Sequence, residues 1–267
     1  MAQDQRMRVT ILGTRGSSPV FGKDFCEFGG STSCYLVEAG DETIILDAGS
    51  GLANAPVSSP KTPVILLSHL HLDHLIGLGT YGRLSRPDST TRLCVPARDA
   101  QGAKKIIDHL FAPPLWPLEL GNYGGDLQFY AMQKTMRIGE ATVETEWGNH
   151  PGGCFLIKIS FAQKAIVYAT DFDHDDEEAC DRLVNFAHDA DLLLYDGQYD
   201  DESYDTHRGF GHSTYRMGVA LMECCGAKGL LIVHHDPRST DSMLLDRERM
   251  VGRDDVRFAR EGEVIEL

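Results

Sequence analysis

One six-residue segment constrains this chain most, and it reads His69-Leu70-His71-Leu72-Asp73-His74. It follows the apolar run 64–67, and a short run of this kind predicts a buried strand. Isolated imidazoles and carboxylates are costly to bury at the rim of a core, but together they are metal ligands. The segment therefore predicts a strand that ends in a metal site, rather than a solvated polar loop.

The composition indicates an ordinary globular chain with an acidic surface. Its 267 residues are 42% hydrophobic and 24% charged, which predicts one domain over 1–267. The net charge is -15, from 40 acidic against 25 basic residues, and no run of lysine and arginine is present. This surface argues against binding to long nucleic acid. An anionic substrate would need local positive charge, which divalent metal ions can supply.

Cysteine usage and hydropathy bear on where the chain resides. The seven cysteines form an odd set without a CxxC motif, which indicates a reducing compartment. The polar stretch 1–8 lacks the apolar core of a signal peptide, and the apolar runs are far below the roughly 20 residues of a membrane span. We therefore expect a cytoplasmic protein that does not enter a membrane.

Strands and helices are predicted in mixed order. Strand-like runs cover 8–12, 33–38, 43–46, 63–68, 92–96, 127–131, 141–146, 155–160, 165–169, 192–195 and 230–233. Helices are predicted over 73–84, 99–110, 176–188, 213–225 and 240–250, the fourth with Ser213 as its N-cap. Early hairpins followed by β-α alternation favour an α+β fold, with two sheets and helices outside them. The Pro- and Gly-rich stretch 112–125 predicts an irregular loop or lid.

The six-residue segment resembles the HxHxDH signature of the metallo-β-lactamase-fold hydrolases. Three further segments resemble the ribonuclease Z branch: Ile-Leu-Gly-Thr-Arg-Gly-Ser-Ser-Pro at 11–19, Leu-Asp-Ala-Gly-Ser-Gly at 46–51 and Gly-His-Ser-Thr at 211–214. The resemblance runs from about residue 9 to 236, and the motifs follow one another in the same order as in the family. It implies a four-layer αββα sandwich, the metallo-β-lactamase fold.

Spacing divides the first ligands between two metal ions. Alternate side chains of an extended segment share a face, so His69 and His71 can hold one ion. Asp73 and His74, on the following turn, can then reach a second ion. Two such ions can share a hydroxide and offset charge on a phosphoryl or carbonyl group.

The resemblance implies that three later residues complete the site. His150 would join the first ion, His234 would join the second, and Asp171 would bridge both. Alternatives remain for all three. His150 could merely cap the turn at 151–153, Asp173, Asp175 and Asp176 follow Asp171 closely, and His235 adjoins His234. The count along 227–233 favours His234 as the final ligand. Histidines and carboxylates in this ratio favour two zinc ions, although manganese and iron accept the same ligands.

The remaining site residues are predicted to act on the substrate or to support the ligands. The resemblance implies that His212 is a general acid or a phosphate binder, the alternative being a simple turn into a helix. Asp73 would also orient the attacking hydroxide. Asp196 would hold a histidine tautomer, and Asp47 would do the same for the 69–74 loop or would only shape a turn. His235 would either support a ligand or face the substrate.

Two departures from ribonuclease Z narrow the predicted substrate. The chain reads His-His-Asp-Pro-Arg at 234–238 in place of an HxSxR ending, and no basic Gly/Pro-rich arm for gripping transfer RNA is evident. Together with the negative net charge, these two departures favour a small anionic phosphodiester, such as a cyclic nucleotide, as the substrate. The predicted enzyme is a phosphodiesterase whose nucleophile is a hydroxide that bridges the two metal ions. The family resemblance also implies a homodimer.

Three other functions compete with this prediction. The first is hydrolysis of a lactone or thioester, whose carbonyl the same ions would polarise; such members are not expected to carry the Gly-His-Ser-Thr segment. The second is redox di-iron chemistry, disfavoured because those members replace ligands with carboxylates. The third is a non-catalytic metal-dependent sensor, which would be expected to have lost ligands.

Overall fold

The computed structural model describes residues 5–267, which form two mixed seven-stranded sheets. The first sheet contains β1 (Met7–Gly13), β2 (Cys34–Ala39), β3 (Glu42–Leu46), β4 (Val64–Leu66), β5 (Thr90–Val95), β6 (Asp126–Ala131) and β14 (Val264–Glu266). Its strand order is β14-β1-β2-β3-β4-β5-β6. The strands from β14 to β3 pair antiparallel, as the predicted hairpins require, and those from β3 to β6 pair parallel.

The second sheet contains β7 (Thr135–Ile138), β8 (Ala141–Gly148), β9 (Cys154–Phe161), β10 (Lys164–Ala169), β11 (Leu192–Asp196), β12 (Leu230–Val233) and β13 (Val256–Phe258). Its strand order is β13-β12-β11-β10-β9-β8-β7. Strands β10 to β13 pair parallel, with helices in the connections between them.

Residues 5–267 contain five α-helices. They are α1 (Ala100–Leu110), α2 (Glu177–Phe186), α3 (Asp201–His207), α4 (Tyr215–Cys225) and α5 (Asp241–Val251). Four of them, all except α3, pack on the outer faces of the two sheets. Helix α1 packs through Ile107 on the first sheet, while Leu183 of α2 and Leu221 of α4 pack on the second. A separate apolar core lies between the sheets. The result is the predicted four-layer sandwich. No helix within residues 5–267 has the length and apolar character needed to cross a membrane.

The helix predicted over 73–84 is wrong. The chain there forms three 3-10 turns, Leu72–His74, Ile76–Thr80 and Gly82–Ser85. Gly77 explains the difference: a Cβ at this position would lie 2.0 Å from the carbonyl oxygen of Gly49. The backbone after β4 therefore packs directly on the turn after β3, and it donates the Gly77 N–H to Ala48 rather than within an α-helix.

Other boundaries differ from the predictions in smaller ways. Helix α3 and strands β7, β13 and β14 were not predicted; α3 begins with a capping box between Asp200 and Ser203. Thr214, rather than Ser213, caps α4, since its hydroxyl accepts from Met217 N. The stretch 112–125 is irregular, as predicted, apart from a 3-10 turn at Leu120–Asn122.

The predicted site residues follow the carboxyl ends of strands in both sheets. The segment 69–74 follows β4, Asp171 follows β10, and His234 follows β12. Asp171 and His234 have φ values of 54° and 59°, and Asp47 after β3 has 58°. Non-glycine residues seldom adopt this left-handed conformation. Here it turns the chain sharply at the strand end, where ligand sites of such sheets lie.

Candidate metal centre

The structure gathers six of the predicted ligands into two triads. His69, His71 and His150 form one cluster, and Asp73, His74 and His234 form the other; within each, the ligand atoms lie within 4.8 Å of one another. In the first triad, His150 Nε2 lies 3.0 Å from His71 Nδ1. In the second triad, the Nε2 atoms of His74 and His234 are 3.3 Å apart. Ligands around a tetrahedral zinc ion would be about 3.3 Å apart, given bonds of about 2.0 Å.

Asp171 lies between the triads and turns one carboxylate oxygen towards each. Its Oδ1 is 3.7 Å from His69 Nε2 and 3.9 Å from His150 Nε2. Its Oδ2 is 3.3 Å from His74 Nε2 and 3.4 Å from His234 Nε2. This is the geometry that a bridging ligand requires. The rival Asp173 instead accepts hydrogen bonds from Tyr204 Oη and Gly209 N.

The donor set fits divalent metal ions. His69 Nε2 is buried without a hydrogen-bond partner, although buried polar atoms normally have one. Burial lowers the pKa of His69 and of His150, so both favour the neutral, coordinating form. For His74, burial also lowers the pKa, but the charges of Asp171 and Asp73 outweigh it and raise the pKa well above its usual range. This part of the site therefore favours positive charge, which a cation supplies.

Neighbouring groups fix the outer nitrogens of three ligands. His74 Nδ1 lies 2.7 Å from Asp47 Oδ2, and His150 Nδ1 lies 2.8 Å from the carbonyl oxygen of Gly211. His69 Nδ1 lies 3.0 Å from Ser68 Oγ. Partners of this kind set the tautomer and the ring orientation of a metal ligand. They leave Nε2 of each ring facing the centre of the site.

Asp47 is a buried acceptor for both the second triad and the core. Ser68 N, Ser68 Oγ and Tyr168 Oη each donate to it over 2.7 Å, in addition to its contact with His74. The carboxylate thus ties β3, the metal loop and β10 together. Its contact with His74 Nδ1 is of the kind that can hold the tautomer of a metal-binding histidine.

His212 sits beside the bridging carboxylate and is held by Asp196. Its Nδ1 lies 2.9 Å from Asp196 Oδ2 and 3.7 Å from Asp171 Oδ1, and its ring stacks on His234. Asp196 also accepts from Asp171 N over 2.9 Å. Burial lowers the pKa of His212, but the charge and hydrogen bond of Asp196 outweigh it and raise the pKa to about 9. A buried histidine held in this way beside the metal triads can donate a proton.

His235 corrects the sequence-based prediction. It is fully buried, its Nε2 lies 3.0 Å from the carbonyl oxygen of Ala259, and its ring stacks on Phe258. The substrate-facing role predicted for it is therefore wrong. The positive φ of His234 turns that side chain into the site, and the next side chain points into the core.

Two backbone groups of the site were not predicted from the sequence. Ser17 N donates to Asp73 Oδ2 over 2.7 Å, and Gly211 supplies the carbonyl that orients His150. A Cβ on Gly211 would lie 2.1 Å from His150 Nδ1, and its φ is +91°. Glycine is needed there for both reasons. The Gly-x-Gly pattern before His212 was the available signal.

An open cleft of about 360 Å³ borders the first triad. His69, His71, Trp147 and Phe155 are among the residues that line it. The cleft gives a small molecule access to the metal ligands.

Comparison with known proteins identifies the family. The model of the β-lactamase superfamily domain matches residues 42–235, which contain all seven predicted ligands. The chain belongs to the β-lactamase superfamily. The predicted family and fold are thereby confirmed.

Relatives of known name align with nearly the whole length of this chain. YhfI of Bacillus subtilis, named a probable metallo-hydrolase, is 23% identical, with 97% of this chain and 100% of YhfI aligned. Ribonuclease Z of Gemmatimonas aurantiaca is 24% identical, with 97% and 95% aligned. The YhfI crystal structure has a TM-score of 0.76 at 21% identity and covers 99% of this chain and 100% of that one. A diphosphatase of the PhnP family has 0.72 at 18%, covering 98% of each. At the level of enzyme class, a metal-dependent hydrolase is confirmed.

Proposed function

We propose that this protein is a dinuclear metal hydrolase that cleaves a small phosphodiester. The observation that carries the proposal is the placement of Asp171, with one oxygen facing each triad. Two divalent ions held by these seven residues would activate a water molecule and offset the charge on the phosphate. Zinc is our expected metal because histidine nitrogens dominate the donor set.

Asp73 and His212 are the residues to which we assign further roles in the reaction. Asp73 is fixed by Ser17 N at one carboxylate oxygen, and it can orient the attacking water while it holds the metal. Asp196 engages His212 Nδ1, so Nε2 is the nitrogen that can give a proton to the leaving oxygen. General acid catalysis of this type contributes about 10²- to 10⁴-fold to a rate.

A phosphodiester fits this arrangement better than a lactone or thioester. A leaving alkoxide needs a proton, and the His212–Asp196 pair supplies one next to the metal triads. The relatives point the same way, since they include proteins named ribonuclease Z and diphosphatase. The cleft of about 360 Å³ and the net charge of -15 favour a small substrate over long nucleic acid. The homodimer and the cytoplasmic location stay predictions.

The test compares two substrates on one metal-loaded protein. We expect turnover of bis-p-nitrophenyl phosphate with zinc or manganese, and slower turnover of a lactone. Hydrolysis of the lactone alone would overturn the proposal in favour of carbonyl chemistry. No hydrolysis of either, with two ions bound, would favour the non-catalytic sensor.

A further inference from the structure

Two stacked aromatic side chains form a shelf beside the first metal triad. The rings of Trp147 and Phe155 lie 4.3 Å apart, centroid to centroid, with 28° between their planes. The two residues face each other across β8 and β9. Trp147 is nevertheless 51% exposed, which is unusual for the largest apolar side chain. Both residues line the cleft that contains His69 and His71.

Strand alternation explains why the shelf lies where it does. Ala141 and Val143 of β8 point into the core between the sheets. Trp147 lies four residues after Val143 and is therefore on the same face of the strand. In β9, Ile157 and Ile159 point into that core, and Phe155 is on their face. The row of core side chains thus continues beyond the point where the opposite sheet covers it. The last two side chains of this row, Trp147 and Phe155, lie next to the loop 69–74. Phe155 N donates a hydrogen bond to Ser68 O, and Ser68 directly precedes His69.

The remaining walls of the cleft are apolar and uncharged. Pro96, Ala97 and Pro151 contribute to them, and among the described residues no lysine or arginine lines the cleft. A second phosphate or another anionic group would therefore find no countercharge on this side. A flat neutral ring would find an aromatic surface, and base-aromatic stacking tolerates any base.

We propose that Trp147, backed by Phe155, is the stacking platform for a nucleobase, so that the substrate is a phosphodiester of a single nucleoside, cyclic or linear. The platform lies on the side of His69 and His71, and the phosphate would lie over the two triads. This inference rests on the proposed function and specifies its substrate. It assigns Trp147 to binding, and no step of the reaction passes through it.

Fluorescence tests the platform without any turnover. The chain has two tryptophans, so the Trp116→Phe variant leaves Trp147 as the sole tryptophan, which excitation at a wavelength that tyrosine does not absorb observes selectively. Trp116 packs on Phe111 and lies outside the cleft lining. We expect adenosine 5′-monophosphate to quench Trp147 emission with saturation, and ribose 5-phosphate to leave it unchanged. Equal responses to the two ligands, or quenching that never saturates, would overturn the platform.

Kinetics test it on the metal-loaded enzyme. Thymidine 5′-(p-nitrophenyl phosphate) and methyl p-nitrophenyl phosphate release the same leaving group, and only the first carries a nucleoside. Stacking is worth about 5- to 160-fold in affinity, so we expect Trp147→Ala to lower the ratio of the two kcat/KM values at least fivefold. Trp147→Phe should keep most of the ratio, and Trp116→Phe should keep all of it.

The outcomes separate this inference from the proposed function. If the wild type hydrolyses both esters and Trp147→Ala leaves the ratio unchanged, the platform is wrong and the phosphodiesterase stands. If the metal-loaded wild type hydrolyses neither ester, the proposed function fails, and the fluorescence result still decides whether Trp147 binds a base.

Discussion

His212 Nδ1 lies 2.9 Å from Asp196 Oδ2, and the same oxygen accepts from the backbone N–H of Asp171. One buried carboxylate thus positions both the proposed proton donor and the proposed bridging ligand. His212 lies outside both triads, but one of its ring nitrogens also clusters with ligand atoms of Asp171, Asp196 and His234. Turnover and metal content are therefore measured together to separate the two roles.

His212→Ala should lower turnover of a phosphodiester with a poor leaving group about 10²-fold or more, since protonation of the leaving oxygen is lost. Metal content should stay at the wild-type value in elemental analysis. His188→Ala is the matched control, because His188 is an exposed histidine that contacts Asp189 and belongs to neither triad. Wild-type turnover in His212→Ala would remove His212 from the reaction.

Asp47→Asn should weaken binding of the second ion about 10- to 100-fold, because the charge that orients His74 is lost. Competition with a chromogenic chelator measures the affinity. Tyr168→Phe removes another donor to Asp47 and leaves the contact with His74 in place. An equal loss in both variants would show that packing, rather than orientation of His74, is responsible.

Gly211→Ala should displace His150 and weaken metal binding at the first triad, since its Cβ would lie 2.1 Å from the ring. Gly209→Ala separates this clash from backbone strain. Gly209 also has a positive φ, of +79°, but a Cβ there meets no atom within 4 Å. Both variants should lose about 1–2 kcal/mol of unfolding free energy to backbone strain. Gly211→Ala should lose more because of the clash, and it alone should lose metal affinity. The same affinity in the two variants would contradict the role assigned to Gly211.

Zinc should raise the Tm of the metal-free protein, because it binds the folded state selectively. An ion at 100 times its Kd adds about 2.7 kcal/mol, or about 5 °C or more for a chain of this size. Differential scanning fluorimetry measures the shift. Asp171→Ala should remove most of it, while Asp175→Ala should keep it. If Asp175→Ala loses the shift instead, the bridging residue has been misassigned.

Local sequence patterns predicted much of the fold and part of the site. The cluster 69–74 was predictable because its ligands are contiguous and follow an apolar run. His150, Asp171 and His234 come from strands that are distant in sequence, so family resemblance, rather than spacing, implied them. The structure then brought their side chains to the two triads.

The sequence-based predictions that were wrong have physical explanations in the structure. Apolar spacing over 73–84 resembled a helix, but the contact of Gly77 with the preceding turn is tertiary and cannot be read from periodicity. For His235, adjacency to a ligand suggested the site, whereas the left-handed φ of His234 reversed the direction of the next side chain. Trp147 could have been found: it continues the alternation of Ala141 and Val143 beyond the predicted strand end.

Titration of the metal-free protein with zinc, followed by hydrolysis of bis-p-nitrophenyl phosphate, tests the central claim most directly. The two triads joined by Asp171 predict that activity rises until two equivalents per chain are bound and then stays constant. A plateau at one equivalent, or full metal loading without phosphodiester hydrolysis, would contradict the account.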